Sequence, residues 1–194
     1  HRQGGTQIFV YTPDTENLFA ATVNALSQLG LTIMDARIIT SADGFSLDTY
    51  IVLDENGTPI GDDPQRIRQI RETLIETLSD PERFGEIARR RMPRRHKHFD
   101  VPTKVVISND ITQEHTVVDV QTLDRPGLLA RIGRLFSEFH LQVHNARITT
   151  LGEKAEDVFF VTDHNGEPVS DPDLCERLRA RLQESLDTTR DQAE

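Results

Sequence analysis

Residues 12–40 read TPDTENLFAATVNALSQLGLTIMDARIIT, and residues 122–150 read TLDRPGLLARIGRLFSEFHLQVHNARITT. Asp14, Leu18, Ala20, Ser27 and Leu31 of the first stretch meet Asp124, Leu128, Ala130, Ser137 and Leu141 of the second at a constant spacing of 110. The match is densest where DARIIT (35–40) meets NARITT (145–150), and after one deletion it resumes at 109, DENGTPI (54–60) against DHNGEPV (163–169). Solenoid units repeat every 20 to 50 residues or so, so a repeat this long is a duplicated domain. Duplicated small domains often form a ligand site at their mutual interface.

Each copy has the pattern strand, helix, strand, strand, helix. Residues 7–11 are β-branched and aromatic and predict a strand. Phe19, Thr22, Val23, Leu26 and Leu29 recur at helical spacing, and Gly30 stops that helix. Residues 31–40 and 45–53 predict two strands around Ser41-Ala42-Asp43-Gly44, a turn in which Asp-Gly supplies positive φ. Asp63-Pro64 opens a second helix with Ile67, Ile70, Leu74 and Leu78 as its apolar stripe. The second copy predicts a strand at 115–122, a helix from Leu128 to Phe139 and strands at 142–151 and 156–163. Its last helix carries Leu174, Leu178, Leu182 and Leu186.

One further strand, residues 104–108, precedes the second copy. With it the order fits an α+β fold: two ferredoxin-like βαββαβ units, antiparallel sheets with helices on one face. The units take residues 1–80 and 103–194, with a basic helical linker at 81–102. Subtracting 110 places the counterpart of Lys104 at −6, before the chain begins. Either the first unit borrows 104–108 as its last strand, or its own counterpart strand lies upstream of His1 and 104–108 belongs to the second unit; the latter is expected. The Asn109-Asp110 turn into the next strand favours the second unit.

Two domains in 194 residues, with 36% hydrophobic and 28% charged residues, fit a soluble globular protein. No apolar run approaches a membrane span, and no signal-like segment opens the chain. A single cysteine, Cys175, rules out an internal disulfide and fits a reducing cytoplasm. The net charge of −10 argues against nucleic acid as a partner. The exception to that charge is Arg89 to Lys97, where six of nine residues are Arg or Lys. It reads as a solvated connector or as a docking surface for an acidic partner.

The catalytic inventory is empty. His96 and His98 would share a face of a strand, but they lack a partner at ligand spacing and sit among Arg94, Arg95 and Lys97, so no metal site is expected. There is no Gly-rich phosphate loop between strand and helix and no nucleophile arrangement. The motif left is Asp124-Arg125-Pro126-Gly127-Leu128-Leu129, where a strand enters a helix. A helix N-terminus offers unpaired N–H groups to a carboxylate, Gly127 would allow close backbone approach, and Asp124 could pair with an α-ammonium group. Equally, Asp124 could cap the helix and Gly127 only permit the turn.

At this loop the chain resembles the ACT domain, a small βαββαβ regulatory fold that binds amino acids between copies. A narrower likeness runs through GGTQIFVY (4–11), LFA (18–20), DARI (35–38), KHFDVPT (97–103), ISND (107–110) and DRPGLLARIG (124–133). These segments resemble the C-terminal ACT pair of the bacterial uridylyltransferase/uridylyl-removing enzyme family, from about Arg2 to Asp187.

The resemblance implies a sensor. In that family a nucleotidyltransferase domain and a metal-dependent HD phosphohydrolase domain, which use Mg2+, precede the ACT pair. They attach UMP to the PII signalling protein or remove it, and L-glutamine at the ACT region favours removal. This chain would then be a regulatory, non-catalytic, cytoplasmic fragment whose partners are L-glutamine, PII and the parent's catalytic domains. A homodimer through ACT sheets is a further option. Carried over residue by residue, the ligand positions are Asp124, Gly127, Leu128, Gln142 and Val143, with Asp14, Leu18, Thr32 and Ile33 as first-unit counterparts. The first unit departs at Thr15-Glu16-Asn17, where Asn17 could bond a ligand or fill the space left open by Gly127, so the second unit's loop is expected to be the better site. The competing readings are a ligand-free ACT dimerisation scaffold and a standalone tandem-ACT regulator.

Overall fold

The computed structural model describes residues 4–15, 17–80, 102–109, 114–125, 127–151 and 153–187. The expected linker helix from Pro81, the basic stretch from Arg89 to Lys97 and the His96/His98 pair lie outside the described residues.

The first repeat runs β1 (Thr6–Pro13), α1 (Leu18–Gln28), β2 (Thr32–Thr40), β3 (Phe45–Leu53) and α2 (Pro64–Leu78). The second runs β4 (Lys104–Ser108), β5 (Thr116–Leu123), α3 (Leu128–Glu138), β6 (Gln142–Arg147), β7 (Thr150–Leu151), β8 (Lys154–Thr162) and α4 (Pro172–Asp187). Local chemistry sets the boundaries. Asp63 accepts a hydrogen bond from the Gln65 amide at 2.9 Å and Pro64 takes the first turn of α2; Asp171 caps α4 in the same way through the Asp173 amide. Gly30, at φ +73°, closes α1 with Leu31 N–H donating to Leu26 at 3.0 Å.

All strands form one sheet in the order β1-β3-β2-β6-β8-β5-β4, with β7 paired to β8. The two repeats meet at β2 and β6, which pair antiparallel with Asp35 opposite Arg147, Ala36 opposite Ala146 and Arg37 opposite Asn145. Because residue 146 is the 110-spaced counterpart of residue 36, this register centres a pseudo-two-fold axis on the two alanines. Each central strand also carries a bulge at the same place, between Ile33 and Asp35 and between Val143 and Asn145.

β4 pairs with β5, so it completes the second repeat and is not borrowed by the first. Two sequence expectations need correction. The span 142–151 is not one strand but β6 and β7. Ile67 is exposed and does not share the buried stripe of Ile70 and Leu74, because it sits on the first turn of α2, beyond the sheet's reach.

Helices cover one face of the sheet. The apolar residues of that face make one core across both repeats, in which α1 packs on α3. Gly133 lets those helices approach: a β-carbon there would lie 3.0 Å from Phe19 Cδ1 and 3.2 Å from Ala20 Cα. Phe159 sits below the crossing, edge-on to Phe136 at 5.2 Å and to Phe19 at 6.5 Å.

Candidate functional site

The pseudo-axis brings the strand-to-helix loop of one repeat against the start of the other repeat's central strand. On one side this leaves a cleft of about 300 Å3. The first repeat contributes Asp14, Thr15, Leu18 and Phe19 from the loop and α1, Ile38 and Thr40 from β2, and Ser46 and Asp48 from β3. The second contributes Gly133, Phe136 and Ser137 from α3, then His140, Leu141, Gln142 and Val143 leading into β6, and His164.

Its floor is acidic. Asp48 is buried on the helix-facing side of β3 and accepts hydrogen bonds from the Ser46 hydroxyl and, at 3.3 Å, from the Tyr50 hydroxyl. Burial pushes its carboxyl up to about 6; the Ser46 and Tyr50 hydroxyls hold it down and the Asp14 carboxylate raises it further. Asp14 stands at the mouth, raised by partial burial and held down by the Thr40 hydroxyl and the Thr15 amide. Two facing carboxylates beside a helix N-terminus suit a small molecule carrying one cationic and one anionic group.

The wall holds a strained residue. His140 has φ +54° and is the one non-glycine residue with positive φ among the described residues. Its counterpart at the end of α1 is Gly30. A side chain in the left-handed region costs roughly 1–2 kcal/mol, and strain of this kind concentrates at binding sites.

The other acid pair, Asp124 and Asp157, differs in its surroundings. Asp157 is also buried, and burial pushes it up to about 7, with Asp124 and Asp119 adding to the rise. The counterparts of Ser46 and Tyr50 are Ala155 and Phe159, so the hydroxyl donors are gone; the Thr149 amide donates at 3.3 Å instead.

Residues 104–189 match the ACR9-like, ACT-like domain family. The chain carries an ACT-like domain. Over 184 residues it is 55% identical to the bifunctional uridylyltransferase/uridylyl-removing enzyme of Pseudomonas putida (strain F1), covering 95% of this chain and 20% of that protein. The protein of the same name from Ectopseudomonas mendocina (strain ymp) is 56% identical over the same shares. The chain thus spans about a fifth of the length of the curated relatives it matches. Among solved structures, aspartate kinase from Synechocystis overlaps 93% of this chain and 27% of its own at 16% identity, with a TM-score of 0.43.

Of the expected ACT ligand residues, the structure gathers Asp14, Leu18, Gln142 and Val143 around this one cleft. Asp124, Gly127 and Leu128 belong to the other loop, which the pseudo-axis sets against Thr32 and Ile33. Sequence reasoning ranked that second loop first, whereas the cleft described here is built on the first. Gly127 has φ +78° and nothing within 4 Å of its β-carbon position, so glycine permits the turn there and leaves open space beside the backbone. Asn17, its counterpart, has φ −107° and makes no capping bond with its side chain. Asp48, Ser46, Thr40, His140 and His164 escaped the sequence reading. One signal was there: an aspartate at a core-facing strand position recurs at the 109 spacing, Asp48 and Asp157. Among the described residues no three His, Cys, Asp or Glu side chains group to hold a metal ion, and no helix is long and apolar enough to cross a membrane.

Proposed function

We propose that this chain is the glutamine-sensing regulatory region of a bifunctional uridylyltransferase/uridylyl-removing enzyme. L-glutamine seats in the cleft between the repeats and switches the parent between uridylylating PII and removing UMP from it. The observation that carries the reading is the Asp14–Asp48 pair facing the second repeat's Gln142 and Val143 across a cleft lined by the strained His140. The carboxylates take the α-ammonium, the start of α1 takes the α-carboxylate, and the His140–Gln142 wall meets the side-chain amide. The nucleotidyl-transfer and hydrolysis chemistry, with its Mg2+, belongs to the parent's other domains, and the described residues supply the effector site alone.

A sensor works near its ligand's cellular level, so a Kd of order 0.1–1 mM, about 4–5.5 kcal/mol, is expected. Coupling of about 1–3 kcal/mol to the catalytic domains suffices to switch them. Calorimetric titration of this chain with L-glutamine, with L-glutamate and L-alanine as controls, tests the binding. Heat with glutamine and none with alanine is the expected result. No heat and no shift of the melting temperature at ligand concentrations about tenfold above that range would leave the scaffold reading in its place.

A further inference from the structure

The two repeats differ at their outer edges. In the second, β4 covers β5 in antiparallel register from Lys104–Gln121 to Ser108–Val117. In the first, β1 pairs with β3 on one side and with no strand on the other among the described residues. We propose that this edge is completed by a strand of the same polypeptide lying immediately upstream of His1. The 110 spacing puts the counterpart of β4 at positions −6 to −2, and this chain spans only 20% of the length of the relative it matches. The inference is independent of the glutamine reading.

Burial supports an occupant. Val118 and Val120, under β4, are both 0% exposed, while Val10 is 7% exposed and Ile8 only half-buried at the same positions of β1. On the helix side, Leu186 is 3% exposed against a half-buried Leu78. Where Gln183 of α4 donates to the Thr103 carbonyl at 3.4 Å, the equivalent residue of α2 is Ile75, 60% exposed. The first repeat therefore leaves Ile8, Ile75 and Leu78 partly or fully exposed where its twin has Val105 and Ile107 packed against the core. Its anchor is built alike: the Ile60 amide donates to Thr6 Oγ1 at 2.9 Å, as the Val169 amide does to Thr116 Oγ1 at 2.8 Å. The missing strand should carry apolar residues at −5 and −3, the counterparts of Val105 and Ile107, facing α2.

The test compares this chain with the same chain extended by roughly 15 native upstream residues, enough for a strand and a turn. Hydrogen exchange on β1, the melting temperature and sedimentation are read for both, and a synthetic peptide of the upstream sequence is added to the shorter chain. The expected result is a monomeric extended chain whose outward β1 amides exchange at least about tenfold more slowly and which melts several degrees higher, with the peptide reproducing part of the protection. Equal exchange and melting in the two chains would overturn the proposal. So would protection of β1 that grows with protein concentration, which would mean a second copy pairs there, or protection found only in the full-length protein, which would assign the edge to a distant segment.

Discussion

Asp48 and Asp157 occupy the same place in the two repeats and differ in their neighbours. Ser46 and Tyr50 give Asp48 two hydroxyl donors, and Ala155 and Phe159 give Asp157 none. The carboxyl at about 6 is largely ionised at neutral pH, while the one at about 7 is half protonated. At neutral pH Asp48 is thus the more fully charged of the two. Both values exceed the ordinary 3.8, so ionisation opposes folding: the stability carried by the neutral acids is complete below pH ~4 and is lost as pH rises through about 6 and about 7. His144 acts oppositely on the acid side, since burial and His115 hold it below its usual value. A variant isolates the carboxylate. From pH 8 to pH 5, the chain should gain about 1.4 kcal/mol of unfolding free energy relative to Asp48→Asn, measured by urea melts. Parallel pH profiles would refute the buried-carboxylate account. Asp48→Asn should also weaken glutamine binding at least about tenfold at pH 7.5, the worth of a charge-assisted hydrogen bond.

His140 offers a second residue-scale contrast. Replacing it by the residue its twin uses, His140→Gly, relieves the left-handed strain, and after the extra unfolded-state entropy of glycine should stabilise by about 0.5–1 kcal/mol. Calorimetry on that variant should show a higher melting temperature and a weaker glutamine affinity. A variant that is more stable yet binds equally well would mean that the strain serves no ligand.

At the level of elements, the periodic patterns carried most of the information. Strands β3 and β5 and the four helices among the described residues follow from alternation, 3.6-residue spacing and the Asp63-Pro64 start, because those signals are local. The 142–151 strand was overread, since nothing in the alternation of Ala146, Ile148 and Thr150 marks where pairing with β8 stops. The cleft was only half legible: loop and strand-start residues came from the repeat and the family likeness, but Asp48 reaches the site through β3, about 30 residues from the loop it faces. Gly133 was quoted in the sequence without a role, and the structure gives it one at the α1–α3 crossing. Gly133→Val would force Phe19 and the Ala20 backbone outward, with an expected loss of about 1–3 kcal/mol. Gly133→Ala should be far milder, because its gain in helix propensity, about 1 kcal/mol, offsets a contact tight by a few tenths of an ångström. Equal losses for the two variants would show that the crossing has slack.

The join between the repeats is a property of the whole molecule, and no local pattern announces it. Its register makes it self-complementary: Ala36 faces its own counterpart, and the flanking pairs, Asp35 with Arg147 and Arg37 with Asn145, are related by the same axis. An interface between near-copies about a two-fold axis is one that identical copies can also form. Each repeat alone would expose the backbone of its central strand and one side of a helix crossing, the kind of free edge that recruits a partner. The second repeat produced alone, residues 103–187, should therefore dimerise through β6 with Ala146 on the axis and Asn145 facing Arg147 of the other copy, a pairing without like-charge repulsion. Sedimentation equilibrium at ~100 µM should return twice the monomer mass, and Ala146→Pro, which removes an edge donor, should return the monomer mass with the helices retained. A monomeric wild-type repeat would mean that the join depends on contacts between unlike residues, such as Gly133 against Ala20, and that the tandem chain has diverged beyond the reach of its ancestral symmetry.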